Sequence, residues 1–278
     1  MYIIYILRRK FCVRISGVRP TRATDGATGL SRLVDEALGW LKKQQAKDAQ
    51  QPFFMYVAFH EPHEPVASPK KMVAQYDGVA KNHNQAQYYA NVTNIDAAVG
   101  KLMKALKAMK LDENTLVIFT SDNGPHQEGG HKMEFFNSNG ELRGYKRDLY
   151  DGGIRVPMIA RWPDKIKADS TSGHPSAFWD FLPTACELAG ISAPEDTDGI
   201  SYLSTLLGKS QPTHDYLFWR AGSKFAVRQG NWKAVRVDDK TKTELYDLSD
   251  DIGELDNLAE KHPELVSKFE AIMAKHRQ

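Results

Sequence analysis

The sequence predicts an α/β fold: a mainly parallel sheet flanked by helices, followed by a small C-terminal antiparallel sheet plus a helix. Three observations predict it. The run "FFMYVAFH", opening at Phe53, and the run Thr115 to Phe119, "TLVIF", are continuously apolar and rich in β-branched or aromatic residues, as buried strands are. Between them lies a long stripe of apolar residues at helical spacing, and strand, helix, strand marks a parallel crossover. From about residue 214, short aromatic and β-branched runs alternate with Gly, Asn, Asp and Lys, the pattern of an antiparallel meander.

Taken in order, the amino terminus "MYIIYILRRKFCVRISGVRP" opens with about six apolar residues, too few for the roughly 20 that span a bilayer. Its basic residues follow the apolar run, whereas a secretory signal has them first. Neither a signal peptide nor a transmembrane helix is read there; a buried strand and a non-native start to a clipped reading frame both fit. Leu30, Leu33, Val34, Ala37, Leu38 and Leu41 predict an amphipathic helix, with Asp25 or Thr28 as its cap. After Pro52 the first apolar run ends in His60, Glu61 and His63. Tyr88, Val92, Ile95, Val99, Leu102, Leu106 and Met109 then predict a long helix with one apolar stripe. From Asp122 to Gly153 the chain shows no clear periodicity, and loops of that length in compact domains are functional or disordered. "IRVPMIARWP" reads as a strand and "SAFWDFLPTACELAGI" as a helix closed by Gly190, with Cys186 an inert core thiol. "YLFWRAG", "KFAVRQGNWKAVRV" and "TELYDLS" read as strands, and "PELVSKFEAIMAKHR" as a final amphipathic helix. The expected organisation is an unmatched segment 1–20, an α/β domain 21–210 and a subdomain 211–278.

Composition narrows the function. The 278 residues carry 37 basic and 35 acidic side chains, a net charge of +2, so no strong field favours nucleic acid or an anionic membrane. Cys12 and Cys186 are too few for a disulfide framework and lack zinc-type spacing.

The stretch "FTSDNGPHQEGGH" carries the chemistry. Ligands of open α/β sheets bind beyond the carboxyl ends of strands, where Asp122 and Asn123 fall, although Asp-Asn-Gly-Pro is also good turn chemistry. Both residues offer hard oxygen donors suited to calcium or magnesium, but calcium takes six to eight oxygens, so other ligands are needed. Lys146 sits in a Gly-flanked loop, and the Gly152–Gly153 pair permits close backbone approach. With His63, a cation, an ammonium and an imidazole would converge on an anionic group.

These residues lie in segments that carry a family pattern: "PFFMYVAFHEPHEP", "FTSDNGPH", "LRGYKRDLYDGGIRVPMIARWP", "DFLPTACELAG", "NWKAVRV" and "ELYDLSDDIGELDNLA". From about residue 21 to its end the chain resembles the C-terminal portion of a sulfatase, of the arylsulfatase or N-acetylgalactosamine-6-sulfatase type, in the alkaline phosphatase superfamily. The resemblance implies an alkaline phosphatase-like fold and hydrolysis of sulfate esters at a calcium site, with magnesium the second choice. It assigns Asp122 and Asn123 to the metal, Lys146 to the sulfate and His63 to the leaving-group oxygen. His131 and Lys146 are the expected substrate contacts. The expected partner is a sulfated small molecule or glycan, a sulfated carbohydrate ahead of a simple aryl sulfate, with no nucleic acid and no membrane span. Full-length relatives are usually exported. The family nucleophile, a formylglycine made in a Cys-x-Pro-Ser-Arg motif, has no match, since Val13, Arg14, Ile15 and Ser16 follow Cys12. The paired aspartates that complete the family's calcium site are also missing, so a sulfatase lacking its first portion is expected. Two other readings stand beside it: a non-catalytic remnant or sulfated-glycan binding module, and a phosphoryl hydrolase of the same superfamily.

Overall fold

The computed structural model describes residues 2–8, 29–64, 66–128 and 132–276. The chain forms two compact units: Met1–Asp122 with Glu128–His131 and Pro157–Gln211, and Asn123–Gln127 with Lys132–Val156 and Pro212–Gln278.

The first unit is built on strands β1 (Tyr2–Arg8), β2 (Phe54–Phe59), β3 (Thr115–Ser121) and β4 (Met158–Arg161), in the order β2-β1-β3-β4. Every pairing in it is antiparallel, so the mainly parallel sheet expected from the sequence is corrected. The reason is the place of β1. The strand-helix-strand pattern set the direction of β2 and β3, which do run the same way, because each is antiparallel to β1. It did not set adjacency, and the amino-terminal strand occupies the slot between them. That slot demands apolar side chains on both faces, which the amino-terminal apolar run supplies: Ile4 and Ile6 point to one side, Tyr5 and Leu7 to the other. On the first side helices α1 (Gly29–Lys47) and α2 (His83–Ala108) cover the sheet, with Leu38, Leu41, Leu102 and Leu106 packed on Met55, Val57, Phe59 and Val117. On the second, helix α3 (Phe181–Ala189) brings Ala185 and Leu188 against Leu116, Ile118 and Trp162. Burying each large aliphatic side chain stabilises the unit by roughly 1.5–3 kcal/mol.

Local signals set the helix ends. Asn82 caps α2, its side chain accepting from the Gln85 N–H at 3.1 Å. α3 stops at Gly190, whose φ of 74° lets the Gly190 and Ile191 N–H groups donate back to the Glu187 and Cys186 carbonyls. Cys186 is buried and unbridged, as expected. The suggested caps Asp25 and Thr28, and Cys12, lie outside the described residues.

The second unit contains the expected C-terminal antiparallel sheet: β5 (Leu217–Ala221), β6 (Lys224–Gln229), β7 (Trp232–Arg236) and β8 (Glu244–Asp247), paired in sequence order, with helix α4 (Pro263–Lys275). Period-two alternation divides its faces. Phe225, Val227, Ala234 and Leu245 pack with Phe269 and Met273 of α4, while Ala226, Val235 and Tyr246 pack with Leu149 and Tyr150. The irregular stretch that follows Asp122 in sequence therefore supplies part of this unit's core.

Candidate functional site

The sheet register sets the first part of the site. Tyr2 stands opposite Phe59 of β2 and opposite Ser121 of β3, so both strands leave the sheet at one level. One strand separates them, a gap of roughly 10 Å from two interstrand spacings. The residues that follow, His60 to His63 on one side and Asp122 on the other, are thereby delivered to the same edge.

His63 is half-buried in a turn closed by its own N–H, which donates to the His60 carbonyl at 3.0 Å. Its ring Nδ1 lies 2.9 Å from the Glu64 carbonyl oxygen. A carbonyl only accepts, so Nδ1 carries a hydrogen and Nε2 is the atom that exchanges a proton with anything else. The His60 ring centroid is 5.7 Å from that of His63. Desolvation first, then the charge of His63, lowers the pKa of His60, although solvent still reaches its ring. Asp122 is exposed, and its charge adds to partial burial in raising the pKa of the Tyr56 phenol on β2.

The second unit holds the other candidate residues in a backbone knot. The Asn123 side-chain amide donates to the Gly124 carbonyl at 2.8 Å. The Gly124 N–H donates to the Gly153 carbonyl at 2.9 Å, the Lys146 N–H to the Pro125 carbonyl at 2.7 Å, and the Gly152 N–H to the Arg143 carbonyl at 2.7 Å. Only glycine fits where these strands of chain cross: a Cβ on Gly124 would lie 1.8 Å from the Gly152 oxygen, and one on Gly152 2.3 Å from the Gly144 oxygen. Beyond half-buried Lys146, Lys224 Nζ holds the turn from outside, 2.9 Å from the Arg147 carbonyl and 3.1 Å from Asp148 Oδ1.

Within the second unit, main-chain bonds thus tie Gly124 and Pro125, which follow Asn123, to the loop that bears Lys146. His131 lies outside the described residues. A cavity of about 340 Å³ bordered by Trp162, Glu187, Leu188, Leu203 and Lys209 includes none of the residues expected at the site. Among the described residues no group of three or more His, Cys, Asp or Glu side chains is arranged to hold a metal. The side chains of Asp122 and Asn123 fall short of the six to eight oxygens that calcium takes, so on their own they are an incomplete donor set.

A family model described as Sulfatase matches residues 23–191. The chain belongs to the sulfatase family. A second model, N-sulphoglucosamine sulphohydrolase, C-terminal, matches residues 140–278 of the same sulfatase chain. It is 33% identical over 224 residues to an N-acetylgalactosamine-6-sulfatase of Canis lupus familiaris, covering 77% of this chain and 40% of the relative. To an N-acetylgalactosamine-6-O-sulfatase of Bacteroides thetaiotaomicron it is 31% identical over 247 residues, covering 81% and 47%. The solved structure of Ps i-CgsB superposes with a TM-score of 0.78 at 29% identity, over 88% of this chain and 54% of that one. This sulfatase chain therefore spans about half the length of these relatives. No helix among its described residues is long and apolar enough to cross a membrane.

Sequence reasoning did not single out Arg143, Asp151, Lys233 or Glu254, which underlie the Lys146 loop. One signal was present: Lys233 stands in the middle of "NWKAVRV", where a strand buried on both faces has no place for an unpaired ammonium.

Proposed function

We propose that this chain carries the sulfate-recognition and proton-donating residues of a sulfatase that hydrolyses sulfate esters of carbohydrates. The observation that carries the proposal is the pair of backbone bonds, Lys146 N–H to Pro125 and Gly124 N–H to Gly153, which fix the ammonium-bearing loop against Asn123. A sulfate ester resists attack because its oxygens repel a nucleophile. The Lys146 ammonium neutralises part of that charge as it grows in the transition state, from a loop that needs no reorganisation. The leaving alkoxide requires a proton, which His63 delivers from Nε2 while its Nδ1–H stays on the Glu64 carbonyl. Asp122 and Asn123 are the residues that would hold a calcium ion, with magnesium second, and further oxygens would have to complete its shell; a bound ion would withdraw charge from the sulfate. None of the described residues is assigned as nucleophile, and the family's formylglycine is expected to supply it. Two similarities support a sulfated sugar: the N-acetylgalactosamine-6-sulfatases, and a solved protein bound to its substrate D-glucosamine-2-N,6-O-disulfate, at 26% identity and a TM-score of 0.55 over 74% of this chain and 45% of that one.

The test joins this chain to a sulfatase amino-terminal segment carrying a matured Cys-x-Pro-Ser-Arg motif and measures hydrolysis of 6-sulfated N-acetylgalactosamine and of an aryl sulfate. The sugar ester is expected to be preferred. Lys146→Ala is expected to lower kcat about a hundred- to a thousand-fold. Undiminished kcat in Lys146→Ala, or a strict preference for the aryl ester, contradicts the corresponding part of the proposal.

A further inference from the structure

Both stems of the Lys146 loop end on one residue far away in sequence. Arg143, before the loop, donates from Nη1 to the Glu254 carbonyl oxygen at 2.8 Å and to the Tyr246 hydroxyl at 2.9 Å, and its guanidinium lies 3.9 Å over the Tyr150 ring. Asp151, after the loop, donates its backbone N–H to Glu254 Oε2 at 2.6 Å. Lys233 Nζ then bridges the acidic pair, 2.8 Å from Glu254 Oε1 and 2.6 Å from Asp151 Oδ1. The side chains of Lys233 and Glu254 are fully buried and that of Asp151 is 4% exposed. Glu254 itself adopts φ of 54°, a left-handed conformation that costs a non-glycine residue energy and persists only where the surroundings impose it.

A cluster of this kind is a poor way to gain stability, because desolvating three charges offsets their attraction and apolar side chains of similar size generally do as well. What it does supply is position. A carboxylate and a carbonyl of the same residue set the distance between the two stems, and the Gly152 N–H to Arg143 bond closes them above it. We infer that Glu254 is a positioning residue: through Arg143, Asp151 and Lys233 it holds the Lys146 loop in the geometry that presents the ammonium to sulfate. The inference rests on the sulfatase reading for the word sulfate, and on the loop geometry alone for the rest.

Amide hydrogen exchange on the 278-residue chain tests it. Glu254→Gln is compared with Met273→Ala, a core change in α4 that removes packing from the opposite face of the same sheet. In Glu254→Gln the amides of Gly124, Lys146 and Gly152 are expected to exchange about tenfold or more faster than in Met273→Ala, while β6 and β7 amides are slowed or quickened alike in both. Arg143→Lys, which keeps the charge but loses the reach to Glu254 and Tyr246, serves if Glu254→Gln does not fold, and is expected to loosen the same amides. Loop amides as protected as in the wild type, or loosening spread evenly over β6 and β7, overturns the inference. In parallel, inorganic sulfate is titrated against the Lys146 side-chain resonance. Binding about tenfold weaker in Glu254→Gln but unchanged in Met273→Ala supports positioning over mere stability. If sulfate leaves Lys146 unshifted in the wild type, the sulfatase reading of Lys146 fails, while the exchange rates still decide the positioning claim.

Discussion

The two four-stranded sheets are both antiparallel throughout, yet they are assembled in opposite ways. β5 to β8 pair in chain order, and the turns at Gly222–Ser223 and Gly230–Asn231 need only glycines with φ of 61° and 59° to reverse the chain. In the first sheet β1 sits between two strands that follow it by many residues, so its pairing is between distant parts of the chain. Their interiors differ too. The first sheet is apolar on both faces, whereas the second encloses Lys233 between two carboxylates. Among the described residues, the ion pair of the first sheet's strands, Arg161 with Asp112 at 3.6 Å, has a half-exposed arginine, whereas the second sheet buries its charges, beneath the loop that bears Lys146.

The largest effect expected from this contrast is at Lys233. Lys233→Met leaves Glu254 buried without its cation and Asp151 with only Arg155 at 3.6 Å, and about 3–5 kcal/mol of stability should be lost, read by urea denaturation of the chain. A loss below about 1 kcal/mol would show that water reaches the cluster and that the second sheet, like the first, stands on packing.

Next is β1. Ile6 is 1% exposed, and if β1 is a true central strand Ile6→Ala should cost about 3 kcal/mol, measured the same way in the first unit. A cost near that of a surface substitution would place β1 outside the core and reopen direct pairing of β2 with β3.

Gly124→Ala comes third. Its new Cβ would press on the Gly152 oxygen, and overpacking of this kind costs about 2 kcal/mol. Hydrogen exchange should locate the damage at Lys146 and Gly152, leaving the β6–β7 ladder protected; uniform loosening would mean that the knot is not a separate structural element.

The smallest effect concerns the sheet edge. The charge of His63 is the second cause of the lowered His60 pKa, so His63→Gln should move the His60 titration upward, toward the ordinary value, in a proton NMR titration. The linkage has a definite sign. A histidine with a lowered folded pKa takes up its proton less readily folded than unfolded, so stability falls as pH drops below the unfolded value and on through the folded one. His63→Gln should narrow that window. An unmoved His60 would indicate that the two rings do not sense one another.

Much of the molecule was legible without coordinates because its signals are local. The apolar stripe from Tyr88 to Met109 requires a helix, Gly190 requires an end to one, and the alternation from Leu217 onward requires a meander. The family follows from the sequence as well, since residues 23–191 match its model. Strand direction in the first sheet was readable, but adjacency was not: nothing within "MYIIYIL" states which strands it will join, and that choice is made by whichever slot needs apolar groups on both faces. The Lys146 loop shows the same division. Its glycines announced close approach, and the close approach is there, against Gly124. The partners of Asp151 did not announce themselves, because a buried charge is stabilised by whatever opposite charge lies within about 3 Å in space, and spatial neighbours at Lys233 and Glu254 leave no mark on the residues around Asp151. The sequence by itself determined most of the elements and the family; only the tertiary structure decided which strand lies at the centre of the first sheet and which distant residue joins the stems of the Lys146 loop, since both are settled by desolvation, which acts through space.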